Sequence, residues 1–193
     1  MNPMSRRTFL KQSATASLAG LMVTPGSADE RSPTPTETRA LPWYRRTLRS
    51  GQTNITEVDP PEYDIAWWRQ YWNRTRVQGV IINAGGIVAY YPSKYPLHYR
   101  PPRLGDRDLY GELAQAAHRD GLVVLARMDS NRTHEAFYQA HPDWFAVDAS
   151  GKPYRAGELY VTCVNSPYYE TYLPSILREI IERSHPEGIA DNS

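Results

Sequence analysis

The sequence predicts an α/β fold, specifically the N-terminal half of a (β/α)8 barrel, with about four parallel strands connected by crossover helices. Two aliphatic runs, 79–82 and 122–126, carry no polar residue on either face, which is typical of parallel strands covered by helices. Each run ends in polar residues or glycines and is followed by a helical pattern. A complete barrel needs eight strands and typically ~250 residues, so we expect these 193 residues to hold a truncated barrel.

The first repeating unit begins with polar–apolar alternation over 54–58, which is stopped by two prolines and predicts a strand. Asp64 is placed to cap a helix over 65–76. After the strand at 79–82, the segment 84–105 is too long for an ordinary connection, and such loops tend to be functional. It is also rich in tyrosine.

The later elements continue the alternation. They are a helix starting at Asp106 or Asp108, the strand 122–126, a short helix over 134–140, a hairpin over 144–154, a helix starting at Ser166-Pro167 and a last strand after Glu187.

The N-terminus has the features of an export signal. Ser5-Arg6-Arg7-Thr8-Phe9-Leu10-Lys11 matches a twin-arginine motif, and a modest apolar run with small residues up to Ala28 follows it. We therefore expect a twin-arginine signal peptide (1–28), a disordered tether (29–42) and the partial barrel (43–193). The expected location is periplasmic or extracellular, with the translocation machinery as a partner and no stable membrane anchor.

Composition excludes several classes of function. The net charge of +1 includes three basic residues that precede Asp29, so the remainder has no basic stripe suited to nucleic acid. The single Cys163 cannot form an intrachain disulfide. The histidines lack metal spacing, since His134-Glu135 is followed by Tyr138 where a zinc motif needs histidine. We expect no metal and no cofactor.

Polar residues recur where the predicted strands end. Because side chains alternate along a strand, these residues should share one face with the lumen-facing apolar residues. They are Glu57, Asn83, Arg127, Asp129 and Asp191. Such a set forms either an active site or salt bridges that cap the layers of the barrel, and we favour the active site.

Two carboxylates with aromatic surfaces around them suit glycoside hydrolysis. Asp191 is the predicted nucleophile, and Asp129 is a weaker candidate for the acid/base. The predicted substrate-binding residues are Glu57, Asn83, Tyr90, Tyr91, Arg127, Asn131, Trp144 and Asn192. The alternatives are a non-catalytic carbohydrate-binding chain and an inactive truncated barrel, whose open sheet edges would favour self-association.

Several motifs together resemble one family. They are Trp43-Tyr44-Arg45-Arg46, Gln52-Thr53-Asn54, Trp67-Trp68, Tyr71-Trp72, the stretch from Gly79 to Pro92, Gly105-Asp106-Arg107-Asp108, His141-Pro142-Asp143-Trp144-Phe145 and Ser166-Pro167-Tyr168-Tyr169. This set is similar to the glycoside hydrolases called "hypothetical glycosyl hydrolase", sixth group, and more broadly to α-amylase- and α-fucosidase-type TIM barrels. The resemblance implies a (β/α)8 barrel, a carbohydrate substrate and a nucleophilic aspartate at the end of the fourth strand, which corresponds to Asp191.

Overall fold

The computed structural model of the chain describes residues 41–192. The predicted signal peptide and nearly all of the predicted tether lie outside the described residues. Within 41–192, no helix is long and apolar enough to cross a membrane.

The described chain forms helices α1 to α5 and strands β1 to β7. The helices are α1 (Trp43–Arg46), α2 (Ile65–Thr75), α3 (Leu109–Arg119), α4 (Glu135–Ala140) and α5 (Leu173–Ser184). The strands are β1 (Ser50–Thr53), β2 (Gly79–Gly86), β3 (Val123–Asp129), β4 (Arg132–Thr133), β5 (Arg155–Ala156), β6 (Leu159–Val161) and β7 (Gly188–Asp191). Short 3-10 turns lie at Pro60–Glu62, Pro102–Leu104 and Pro142–Trp144.

Four parallel strands in the order β1-β2-β3-β7 form the main sheet. This confirms the predicted half-barrel arrangement. The side of the sheet that packs against α3 and α5 is closed, since Val80, Ile82, Val124 and Ala126 are fully buried. On the opposite side, which corresponds to the lumen of a barrel, residues such as Leu125 are only half-buried.

Aspartates cap the first two long helices, as the sequence predicts. The Asp64 carboxylate accepts hydrogen bonds from the backbone N–H groups of Ala66 and Trp67 at the start of α2. The Asp108 carboxylate accepts one from Gly111 N at the start of α3. Each cap satisfies amides that have no partner within the helix.

The prediction for the first strand is wrong in position. β1 spans Ser50–Thr53, and residues 54–59 form a turn in which Asp59 Oδ2 accepts hydrogen bonds from the backbone N–H and the hydroxyl of Thr56. The alternation over 54–58 reflects the burial of Ile55 in the core rather than strand pairing. Glu57 therefore lies in a loop beyond the strand.

Four other elements also differ from prediction. β2 and β3 extend four and three residues further than predicted, because their pairing continues to Gly86 and Asp129. The predicted hairpin over 144–154 contains one isolated bridge, and the regular small sheet has the order β4-β6-β5. The last helical segment starts with a π-helix over Tyr168–Tyr172 before α5.

The main sheet has two outer strands, β1 and β7, each paired on one side only among residues 41–192. Apolar side chains are exposed on α2, at Trp67 and Tyr71, and on β7, at Ile189. Open edges and exposed apolar side chains favour association with further strands. Self-association through these edges stays a prediction.

The ends of β2 and β3 come unusually close together. The register shifts between Asn83 and Gly85, and Gly86 then adopts a φ of +100°. A Cβ on Gly86 would collide with the backbone carbonyl of Asp129. This close approach lets Ile87 N donate a hydrogen bond to Asp129 O at 2.7 Å.

Replacing Gly86 by alanine should therefore destabilise the fold. The positive φ and the backbone clash act together, and we expect the Gly86→Ala variant to lose more than about 2 kcal/mol in unfolding free energy, measured by urea denaturation. Gly105→Ala is the matched control, because Gly105 also has a positive φ, of +55°, but no atom lies within 4 Å of the added Cβ. Equal losses in the two variants would contradict the proposed role of the close approach.

Candidate active site

Asp129, the last residue of β3, joins the ends of three strands. Its Oδ1 accepts hydrogen bonds from Arg127 Nη2 at 3.0 Å and from Asn192 Nδ2, just past β7, at 2.9 Å. Its Oδ2 accepts one from Asn83 Nδ2 on β2 at 3.4 Å. The carboxylate thus ties β2, β3 and the end of β7 together at the carboxyl edge of the sheet.

Arg127 extends this network to the residue after β1. Its Nη1 donates to Asn54 Oδ1 at 2.7 Å, while Nη2 pairs with Asp129. The side chains of Arg127 and Asp129 are 16% and 23% exposed, so the ion pair is partly shielded from water. Asn54 was not predicted as a site residue, although it directly follows the strand found in the structure and so could have been identified from a correct strand boundary.

A cavity of about 240 Å³ lies beside this network. Its lining includes Ile55, Glu57, Asn83, Tyr90 and Asp129. Leu159 from β6 contributes a further wall, so the small antiparallel sheet lies over the strand ends. Active sites of (β/α)8 barrels lie at this carboxyl end of the strands.

Two larger clefts, of about 790 and 840 Å³, lie elsewhere. The first includes Arg49, Gln78 and Leu122, which precede β1, β2 and β3, so it lies at the amino edge of the sheet. The second is lined by residues of α3 and the end of α5. Neither includes the strand-end carboxylates, and the smaller cavity is therefore the better candidate for chemistry.

Glu57 lines the cavity from the loop after β1, whereas the sequence predicted that it lies in a strand. Its Oε2 accepts a hydrogen bond from Tyr99 OH at 3.1 Å, and burial and this bond to Glu57 raise the pKa of Tyr99. His134 stacks on the Tyr99 ring with centroids 3.7 Å apart, and burial lowers the pKa of His134. Sequence reasoning did not predict roles for Tyr99 or His134 here, because both depend on contacts between distant loops.

The structure contradicts the predicted orientation of Asp191. In the pairing of β3 with β7, Arg127 lies opposite Ala190 and Met128 lies opposite Asp191. In a parallel sheet, paired residues point to the same side, so Asp191 lies on the face of Met128 rather than that of Asp129. Both oxygens of the exposed Asp191 carboxylate lie 2.9 Å from Ser130 Oγ. Asn192 instead reaches the network around Asp129.

Two predicted aromatic contacts are buried. The Tyr90 hydroxyl donates to Ile55 O at 2.7 Å, and burial, followed by the nearby Glu57, Asp59 and Asp129 carboxylates, raises the Tyr90 pKa. Tyr90 is 5% exposed but lines the cavity. Tyr91 is fully buried and its hydroxyl donates to Glu179 at 2.8 Å, so its ring offers no face to a sugar and the prediction for Tyr91 is wrong.

The remaining predicted binding residues lie away from the cavity lining. Trp144 stacks on His141, with ring centroids 4.1 Å apart, in the 3-10 turn after α4. Asn131 lies between β3 and β4 and accepts a hydrogen bond from Arg132 Nε. Among residues 41–192, no group of three or more His, Cys, Asp or Glu side chains could hold a metal ion.

The chain is similar to known proteins in sequence and in fold. A family model described as "Hypothetical glycosyl hydrolase 6" matches residues 68–193, which is more than half of the chain. The chain belongs to this family. The family assignment agrees with the resemblance found in the sequence. A search of curated proteins found no match.

Several solved structures with a similar fold have titles that name glycosidases. They include alpha-L-fucosidase isoenzyme 2 from Paenibacillus thiaminolyticus, with a TM-score of 0.61 and 20% identity, covering 76% of this chain and 23% of the fucosidase. An alpha-amylase from Lactobacillus plantarum has a TM-score of 0.54 and 15% identity, covering 79% of this chain and 39% of the amylase. A noncanonic maltogenic alpha-amylase from Thermotoga neapolitana has a TM-score of 0.53 and 14% identity, covering 75% and 39%.

At these identities the similarity establishes the fold. The chain spans only about a quarter to two fifths of the length of these solved structures. It corresponds to the part of a barrel that contributes four of the strands.

Removing the Arg127 side chain should destabilise the described domain. Arg127→Ala would leave the shielded Asp129 carboxylate without its charged partner, and we expect a loss of about 1–3 kcal/mol in unfolding free energy by urea denaturation. Arg178→Ala, which removes an exposed arginine from α5, is the control and should change stability by less than about 0.5 kcal/mol. A loss for Arg127→Ala no larger than for the control would contradict the structural role of the ion pair.

Proposed function

We propose that this chain forms one side of the sugar-binding site of a glycoside hydrolase, at the cavity next to Asp129. The observation that carries the proposal is a hydrogen-bond network at the carboxyl edge of the sheet, which joins polar side chains from four strands and in which Asn83 and Asp129 line the cavity. The family and the glycosidase folds support the reaction class. Because the chain covers a minor part of those enzymes, the complete activity belongs to this proposal.

Asp129 is proposed to bind the sugar and to orient the site. Its carboxylate lines the cavity and is held by Arg127, Asn83 and Asn192. A negative charge that hydrogen bonds hold in position before the substrate binds can stabilise a developing positive charge without rearrangement of the site. An oxocarbenium-like transition state carries such charge.

Asp191 is proposed as the reacting carboxylate. It is the last residue of β7, which is an outer strand of the main sheet, and its side chain is exposed. The nucleophile of a retaining glycosidase lies about 5–5.5 Å from its acid/base partner, and in inverting enzymes the two carboxyl groups are about 6.5–9.5 Å apart. For Asp191 to act in either way, its side chain must turn towards the Asp129 side once a neighbouring strand is in place.

Hydrolysis and binding assays test these roles separately. The substrates are nitrophenyl glycosides of α-L-fucose and of α-linked glucose, chosen from the fucosidase and amylase folds, and ligand binding is followed by saturation-transfer NMR with free fucose and maltose. We expect Asp191→Asn to lower turnover at least ~100-fold while sugar binding stays within about twofold. Asp129→Asn should weaken binding as well, because it removes the charge that pairs with Arg127.

Asp143→Asn is the matched control, since Asp143 is exposed on the 3-10 turn before Phe145 and should leave both measurements unchanged. Binding without hydrolysis, unchanged in Asp191→Asn, would favour the non-catalytic carbohydrate-binding alternative. If the wild-type chain neither binds nor hydrolyses these sugars, the proposed function is contradicted.

We also propose that the twin-arginine pathway exports the protein to the periplasm or the extracellular space, because Arg6-Arg7 lies within a matching motif. The double substitution Arg6→Lys, Arg7→Lys should keep the precursor in the cytoplasm of a bacterial host, as seen by cell fractionation and immunoblotting. Arg45→Lys with Arg46→Lys is the control, because these exposed adjacent arginines lie on α1 of the folded domain. Unchanged export of the first variant would refute this pathway.

A further inference from the structure

The connection between β2 and the 3-10 turn at Pro102–Leu104, which we call the aromatic loop (residues 87–101), forms part of the cavity wall. Ile87, Val88 and Tyr90 line the cavity. Tyr91, Ser93 and Lys94, further along the loop, contact Glu179 on α5. What fixes this loop therefore decides the shape of the proposed sugar site.

Glu179 on α5 holds the middle of the aromatic loop. Its Oε2 accepts hydrogen bonds from Tyr91 OH at 2.8 Å and from Ser93 Oγ at 2.7 Å. Its Oε1 accepts one from the backbone N–H of Lys94 at 2.7 Å. Three residues within one four-residue stretch of the loop are thus bound to one carboxylate that lies more than 80 positions later in the sequence.

A buried carboxylate at this position needs an explanation. Glu179 is 8% exposed, and it is the one acidic side chain among residues 41–192 that is buried. Burial by itself would raise the pKa of Glu179, but the hydrogen bonds from Lys94, Ser93 and Tyr91 bring it below its ordinary value. The side chain is therefore ionised, and its hydrogen bonds are charge-assisted, which makes them stronger than neutral ones.

His98 connects this clamp to the end of β2. Its Nε2 accepts a hydrogen bond from Gly86 N at 3.1 Å, which places the ring proton on Nδ1, 3.3 Å from Ser93 Oγ. Burial lowers the pKa of His98 to about 4, so the ring is neutral near pH 7 and can accept from Gly86. Ser93 then donates to Glu179, giving a continuous path from the strand end to α5.

We propose that Glu179 is a positioning residue for the sugar site, which fixes the aromatic loop through Tyr91, Ser93 and Lys94 and thereby holds the cavity wall in place. The inference rests on the proposed function, since the wall it supports is that of the proposed sugar site. The hydrogen bonds of Glu179 go to Tyr91, Ser93 and Lys94, which are not among the residues that line the cavity. Its action passes along the loop.

Backbone bonds carry the constraint from the clamp to the wall. Tyr90 N donates to Ala84 O at 3.1 Å, and Ala89 N donates to Tyr99 O at 2.7 Å. Tyr91, which Glu179 holds, is adjacent to Tyr90 in the chain. We expect release of the loop at Tyr91 and Lys94 to weaken these bonds at Ala89 and Tyr90 as well.

Limited proteolysis measures the clamp without any sugar. Lys94 is exposed and is the one site in the loop open to trypsin, because Arg100 is followed by Pro101. Cleavage of a folded protein tracks the population of the locally opened state when opening is fast. We expect cleavage after Lys94 to be about tenfold faster or more in Glu179→Ala than in wild type, from the loss of three charge-assisted hydrogen bonds.

Glu179→Gln is a second variant in case the alanine variant does not fold. Glutamine keeps the shape and one acceptor oxygen, but its NH2 group must face either the two hydroxyls or the Lys94 N–H, so at least one bond is lost. We expect an intermediate increase in cleavage. Glu182→Ala, on an exposed position of the same helix, should leave the rate unchanged.

Hydrogen exchange at the cavity wall separates positioning from a local role. In Glu179→Gln, the amides of Ala89 and Tyr90 should exchange faster along with that of Lys94, and where wild type binds fucose or maltose the affinity should fall several-fold. Unchanged cleavage after Lys94 would overturn the clamp. Faster exchange confined to Lys94, with Ala89 and Tyr90 unchanged, would overturn the positioning role, whether or not a sugar binds.

Discussion

The candidate site depends on the hydrogen bonds that the Asp129 carboxylate accepts. Parallel strands bring their carboxyl ends to one edge, but their order there has to be fixed by side chains, since the ladder hydrogen bonds stop. Asp129 supplies that fixation by accepting from Arg127, Asn83 and Asn192. The glycine at position 86 lets β2 approach closely enough for this to happen.

The two faces of the main sheet have different surroundings. The face towards α3 and α5 is packed as a normal core, whereas the opposite face is partly exposed and carries the polar network. This asymmetry is expected for four strands of a barrel whose lumen is completed by other strands. It also explains why the cavity is small and open rather than a closed pocket.

The fold and the chemistry have different support. Glycosidase structures with less than 25% identity establish the barrel arrangement, and the family assignment supports the proposed reaction class. Function belongs to sites on a fold rather than to the fold itself. Under the proposed function, the strand-end network and the loop clamp by Glu179 are therefore the features that would connect this particular chain to sugar chemistry.

The sequence by itself determined the sheet type, the two buried central strands, the helix start at Asp64 and a second helix start at either Asp106 or Asp108, because hydrophobic periodicity and capping are local properties. Only the tertiary structure decided which side of the sheet Asp191 faces, since that depends on the register of β7 against β3. It likewise decided that Tyr91 is a support rather than a sugar platform, because its partner Glu179 lies 88 residues away. Register and long-range pairing are set by packing between elements, which no local pattern records.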